Sequence, residues 1–129
     1  MKILVPIPEL IYIIHIFNST LTNLAVFEDF EITPIGATEI QSQTCFYNII
    51  TKEVHIFAYM YNSNGIPSRF ASIPSKYWSA KSVGGSICMT TDFTDCLVGY
   101  FGMSSNYTLA QWLSSSKKYA VINISYYLT

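Results

Sequence analysis

Val54-His55-Ile56-Phe57-Ala58-Tyr59-Met60-Tyr61 is the stretch that decides the fold. Successive side chains of a strand point to opposite faces. Val54, Ile56, Ala58 and Met60 therefore share one side, and His55, Phe57, Tyr59 and Tyr61 share the other. The first set is an aliphatic core face. The second is aromatic where a solvent face would be polar, so the strand is expected to touch something on both sides. Immediately upstream, Glu39–Ile50 is a second strand-like run, and Thr51-Lys52 between the two reads as a tight turn, giving a hairpin. Immediately downstream, Asn62-Ser63-Asn64-Gly65 is the strongest turn in the chain, because Asn-Gly supplies the positive φ angles that a reversal needs.

The remaining segments follow the same grammar. Leu10–Phe17 and Leu24–Ile32 read as strands, the latter ended by Thr33-Pro34-Ile35-Gly36. Ser82–Thr91 and Cys96–Gly102 form a second hairpin around Asp92–Asp95. In the last segment, Tyr119–Leu128, residues Ile122, Ile124, Tyr126 and Leu128 face inward while Asn123 and Ser125 face out. Thr108–Leu113 is the one segment with the character of a short helix. The expected class is all-β, an antiparallel β-sandwich or jelly-roll-like fold of about 7–8 short strands.

Composition adds a constraint from the surface. Of 129 residues only 12% are charged, against roughly 25% in ordinary soluble domains, while 50% are hydrophobic and 16% aromatic. Fifteen charged side chains (7 basic and 8 acidic) cannot cover a globule of this size. The excess apolar surface implies an interface, and a homo-oligomer or a piece of a larger assembly is expected. A net charge of −1, with the seven basic residues scattered, excludes a nucleic-acid partner, which requires a concentrated positive field.

The N-terminal stretch begins with Lys2 and carries an apolar run, Ile11–Phe17, as a secretory signal does, but Pro6, Pro8, Glu9 and His15 interrupt that pattern. The run is also shorter than the about 20 residues that span a bilayer, so no membrane span is expected. Residues 1–34 are read as an extended arm or edge strands and residues 35–129 as the main domain, or the whole chain as one continuous domain. Cys88 and Cys96 lie symmetrically about Asp92, which permits a cross-strand disulfide; buried free thiols are the favoured reading for three cysteines that make no framework. The sequons at Asn18, Asn106 and Asn123 are no more than a Ser/Thr-rich chain produces by chance, and Asn123 sits within a strand.

The search for chemistry returns little. His15 and His55 each stand alone in an apolar strand, without a ligand or catalytic partner at close spacing. Gly84-Gly85-Ser86 precedes no helix and reads as entry into a strand. Asp92 and Asp95 sit at a hairpin tip, where Asp serves the turn. No catalytic residue, metal site or cofactor is assigned, and a non-enzymatic protein is expected. The positive feature is aromatic. Tyr61, Tyr77, Trp78, Tyr107 and Trp112 lie in or beside loops, where flat rings either stack on sugars and anchor protein contacts or close the ends of a barrel. His55, Phe57 and Tyr59 form the candidate intersubunit face.

From Glu39 onward the order of features resembles the C-terminal head domains of phage tail fibres and receptor-binding proteins. Two early paired strands precede a loop of the type leucine or isoleucine–proline–x–x–tyrosine, here Ile73-Pro74-Ser75-Lys76-Tyr77-Trp78. A hairpin follows, and the last strand is of the type x–serine–tyrosine–x–leucine, here Asn123-Ile124-Ser125-Tyr126-Tyr127-Leu128. The pattern departs from the family at Trp78, where many members carry Arg-Pro, and at Asp92-Phe93-Thr94-Asp95, which replaces an Asp-Gly or Gly-Asn turn. The resemblance implies a trimer of jelly-roll-like heads on a virion, extracellular, recognising a host surface glycan or protein. Residues 1–34 would then join other virion proteins or swap between subunits. The alternative function is a structural virion component, a capsid decoration or minor capsid protein, without receptor binding.

Overall fold

A computed structural model describes residues 26–79, 81, 83–113 and 117–128. The expected arm of residues 1–25, with the Leu10–Phe17 strand, His15 and Asn18, lies outside the described residues. The described residues are all-β, with nine strands among them: β1 Phe27–Phe30, β2 Thr33–Pro34, β3 Glu39–Asn48, β4 Glu53–Tyr61, β5 Arg69–Ser72, β6 Gly84–Thr90, β7 Leu97–Ser104, β8 Thr108–Gln111 and β9 Tyr119–Tyr127. Single 3₁₀ turns at Ser75–Tyr77 and Ser105–Tyr107 are the helical elements. The strands form one continuous sheet in the order β1-β3-β4-β9-β6-β7-β8-β5-β2, every pairing antiparallel. Three of these strands, β2, β5 and β8, are not singled out as strands in the sequence, and the expected Leu10–Phe17 strand is not among the nine.

The two outermost strands, β1 and β2, are consecutive in the chain and separated only by Glu31 and Ile32. Three peptide steps span at most roughly 11 Å, so the edges of a nine-stranded sheet must lie close together there, and the sheet curls into a half-barrel. At this seam the Ile32 amide donates to Gln43 Oε1 at 2.8 Å and Gln43 Nε2 donates to the Ile32 carbonyl at 3.3 Å. The Gln43 side chain thus acts as a peptide unit, supplying one donor and one acceptor where the strand ladder lapses. Ile32 itself is buried.

The concave side is the core. Val54, Ile56, Ala58 and Met60 of β4 are fully buried, as are Ile87 and Met89 of β6, Phe101 of β7, Leu109 of β8 and Ile122 of β9. Phe70 and Phe101 meet across it with ring centroids 6.2 Å apart. The β3–β4 hairpin turns where expected: Lys52 takes φ +66° and donates to the Asn48 carbonyl at 2.8 Å, while Asn48 Oδ1 receives the amides of Ile50 and Thr51. Residues 62–65 also turn, with Gly65 at φ +92°, but they carry the chain away from its neighbours. β4 pairs with β3 and β9, and β5 with β8 and β2.

Two expectations are corrected. Thr108–Leu113 is not a helix, because all four residues of β8 are buried between β7 and β5 and a strand satisfies their backbone on both sides. Cys88 and Cys96 are bonded to each other, with Cα atoms 5.9 Å apart, rather than free. Register explains why they meet: Cys88 faces Val98, and Cys96 is two residues away on the same turn. Cys45 remains a buried thiol.

Replacing Gln43 with alanine strands the buried backbone groups of Ile32. A loss of about 2 kcal/mol is expected in urea unfolding, and an unchanged midpoint would contradict the role assigned to the seam.

Candidate functional site

The structure divides the aromatics that the sequence grouped together. Tyr77 is only 5% exposed and belongs to the core. Its ring stacks on Phe30 at 4.1 Å and tilts against Tyr47 at 5.6 Å, and its carbonyl accepts the Tyr126 hydroxyl at 2.5 Å. Its own hydroxyl donates to Glu28 Oε1, which also receives Lys76 Nζ, both at 2.5 Å. The proline of Ile73-Pro74-Ser75-Lys76-Tyr77 starts the 3₁₀ turn, which drops Tyr77 into one end of the half-barrel. Tyr77 closes an end of the barrel, the second of the two readings open to it, and its burial removes it from the surface set.

Trp78 is half-buried beside it, with its indole edge-on to Tyr107 at 5.7 Å, while Tyr107 is largely exposed. Asn106 and Tyr107 both take left-handed backbone conformations, at φ +60° and +58°, and the Tyr107 carbonyl accepts the Ile73 amide at 2.8 Å. A bulky residue rarely adopts this geometry without external support, and the Ile73 bond supplies some. Tyr61 is half-buried at the end of β4, and Trp112 stands at the surface just past β8.

The face of β4 opposite the core is the convex side of the sheet. There the β1–β3–β4 register sets Asp29, Phe46 and His55 in a row, with Phe27 two residues from Asp29 on the same face: Phe27 meets Phe46 edge-on at 5.4 Å, and Phe46 stacks on His55 at 4.6 Å. Further along, Tyr59 and Tyr61 meet Tyr119 of β9 at 6.1 and 4.9 Å. Phe93, delivered by the β6–β7 turn, leans on Tyr119 at 4.6 Å. Phe57, 40% exposed, lies between the two clusters, opposite Thr44 and Asn123. His55 Nε2 lies 2.6 Å from Glu53 Oε1 on the same strand face. A shallow recess of about 390 Å³ lies against Phe27, Asp29 and Phe46. His55, Phe57 and Tyr59 thus share one convex, aromatic face.

The acidic hairpin tip is committed to its own loop. Asp95 receives Thr90 Oγ1, the Thr91 amide and Lys117 Nζ, and these bonds, led by that from Lys117, hold its carboxyl well below the ordinary range. Asp92 receives the amide and hydroxyl of Thr94, which lower it likewise. Among the described residues, no three His, Cys, Asp or Glu side chains gather as a metal site would require, and no helix is long and apolar enough to cross a membrane.

Sequence reasoning missed Tyr100 and Val98, which project from the convex face of β7, and Phe93 and Phe27. Tyr100 had a signal: in Val98-Gly99-Tyr100-Phe101-Gly102 the alternation that buries Phe101 puts Tyr100 on the outside. Searches of protein-family models, curated proteins and solved structures found nothing that matches this chain.

The Tyr77 network gives the protein a pH signature. Bonds from Lys76 and Tyr77 hold the Glu28 carboxyl below its usual range, so its contribution is present at neutral pH and is lost as pH falls through that lowered value. Burial, then the Glu28 carboxylate, pushes the Tyr77 hydroxyl up to about 12. Its contribution is complete below the ordinary tyrosine value of 10.0 and is lost as pH rises from there to about 12. Denaturation midpoints followed upward from pH 8 are expected to fall less steeply for Tyr77→Phe than for the parent; equal slopes would contradict this.

Proposed function

We propose that this chain is a non-enzymatic recognition module: a virion-associated receptor-binding or fibre-head domain that meets a host surface glycan or protein. One observation carries the reading. A half-barrel buries its aliphatic residues on the concave side, yet its convex side is also rich in aromatic rings. Solvent does not require Phe27, Phe46, Phe57, Tyr59, Tyr100 and Trp112 to be displayed; a partner surface does.

Two further features support it. The Cys88–Cys96 disulfide suits an extracellular or virion-surface setting, since such bonds persist where conditions are oxidising. The resemblance of Ile73–Trp78 and Asn123–Leu128 to fibre heads supplies the virion context and the finer reading of the half-barrel as a jelly-roll-like unit. In a trimer of such heads, His55, Phe57 and Tyr59 pack between subunits. The low charge of the chain then has a cause.

Light scattering on the purified chain tests the assembly. A mass three times 14.6 kDa is expected, with Phe57→Lys shifting it to the monomer while the circular dichroism spectrum is preserved. A parent protein that stays monomeric, or a trimer untouched by Phe57→Lys, would contradict this face. Recognition is tested by applying labelled protein to a panel of bacterial and eukaryotic cells, where saturable binding to a subset is expected. Failure to bind any of them, with uptake onto virus particles instead, would favour the structural virion component.

A further inference from the structure

The β6–β7 connection holds a bulky residue in a conformation that such residues rarely take. Phe93 has φ +68°, a left-handed backbone geometry that is costly for an aromatic residue and persists only where the surroundings impose it. Three side chains of the loop do so. Thr90 Oγ1 accepts the Phe93 amide at 2.9 Å and donates to Asp95 Oδ1 at 2.8 Å, which also receives the Thr91 amide at 3.0 Å. Asp92 receives the amide and hydroxyl of Thr94. These bonds run within residues 90–95, and the Cys88–Cys96 disulfide closes the ring around them. Phe93 is thereby held out as a finger, 62% exposed, whose ring rests on Tyr119 at 4.6 Å and reaches Tyr59 at 6.0 Å.

The disulfide lies within the convex face. Cys88 is opposite Val98 of β7 on one side and Val121 of β9 on the other, and Val121 is opposite Tyr59 of β4. Tyr59, Val121, Cys88 and Val98 thus form one row across four strands, with Cys88 two strands, about 10 Å, from Tyr59. The two sulfurs differ in access. Cys88 is half-buried in the sheet, whereas Cys96 is exposed beside the exposed Leu97 and Val98. An exposed disulfide is the labile kind, open to exchange with a thiolate.

We propose that Cys88–Cys96 is a thiol–disulfide exchange site, reduced by a dithiol, and that its opening frees the Phe93 finger from Tyr59 and Tyr119. A thiolate of the dithiol attacks Cys96 Sγ and forms a mixed disulfide, while the Cys88 sulfur leaves as a thiolate and takes a proton from solvent. The second thiolate of the dithiol then attacks the first sulfur and closes the reductant into a cyclic disulfide; Cys96 leaves and is protonated. Two electrons and two protons pass from the dithiol, which is oxidised, to the protein disulfide, which becomes two thiols. With the ring open, the positive φ at Phe93 loses its covalent restraint, and relaxing it withdraws the side chain from the face. The consequence for assembly rests on the intersubunit reading of that face above. The oxidised chain presents the complete aromatic surface and the reduced chain an incomplete one, so subunits stay apart in a reducing compartment and assemble in an oxidising one.

The test treats the full chain, oxidised in air, with dithiothreitol at neutral pH without denaturant, followed by alkylation with iodoacetamide and peptide mass mapping. Cys88 and Cys96 are expected to be alkylated together and the buried Cys45 to stay unmodified, with circular dichroism unchanged. By NMR, the Phe93–Tyr119 ring contact is expected in the oxidised chain, to vanish on reduction and to return with oxidised glutathione. In light scattering, reduction should raise the concentration at which the assembly dissociates by about tenfold, and Phe93→Ala should do the same to the oxidised chain. A variant with both Cys88→Ser and Cys96→Ser should behave as the reduced chain and ignore dithiothreitol. The proposal is overturned if Cys88 and Cys96 are thiols in the air-oxidised chain, if they react only when Cys45 does, or if the ring contact outlasts reduction. A released finger with an unchanged dissociation curve overturns the coupling to assembly. An oxidised chain that is monomeric overturns the intersubunit reading alone, because alkylation and the ring contact still decide the exchange site.

Discussion

Everything in this molecule depends on a closure made by very few atoms. β1 and β2 belong to opposite edges of one sheet, yet only Glu31 and Ile32 separate them. That short tether forces the curl, and the curl gives the sheet an inside and an outside. At the point of closure the backbone of Ile32 finds no strand partner, and the amide of Gln43 replaces one, donor for acceptor and acceptor for donor. An unpaired buried peptide group costs as much as a lost hydrogen bond, so a single side chain here determines whether the seam is favourable.

Once the sheet is curled, the two ends need filling, and they are filled differently. One end is closed by rings: Tyr77 on its 3₁₀ turn, with Tyr47, Phe30 and Tyr126 around it. The other is closed by amides. Asn62 donates to Thr38 Oγ1 at 3.1 Å and receives the Asn64 amide at 2.9 Å, and the buried Gln111 donates to the carbonyls of Ile66 and Pro67 while accepting the Leu113 amide. Loops cross both ends, and their backbone groups demand partners that an apolar plug alone does not provide. An open recess of about 510 Å³ remains at the amide end, between the turn at Gly36 and the 62–69 connection.

The sequence disclosed the strands better than their arrangement. Period-two alternation in 54–61 and 119–128 identified the core residues one by one, because the inward positions are apolar and the signal is local. The β8 segment looked helical because Thr108-Leu109-Ala110-Gln111 has no alternation: it is buried on both faces, a consequence of the distant partners β5 and β7. The same limit hid the seam, where Gln43 meets Ile32 just past the end of the β1–β3 ladder, a pairing that the local pattern of neither segment shows. Among the surface aromatics, loop position did not separate Tyr77, which plugs the barrel, from Trp112, which lies on it. What separates them is the proline-led turn at 74, which acts only through the fold.

The claim on which inside and outside depend is that the seam is as firm as the sheet it closes. Native-state hydrogen exchange of the Ile32 amide, compared with Ile56 at the centre of β4, tests it directly. If Gln43 completes the sheet, the Ile32 amide exchanges only through global unfolding, with the same denaturant dependence as Ile56. Exchange of Ile32 through a local opening, much faster than Ile56 and insensitive to denaturant, would contradict the account and leave the half-barrel unsealed.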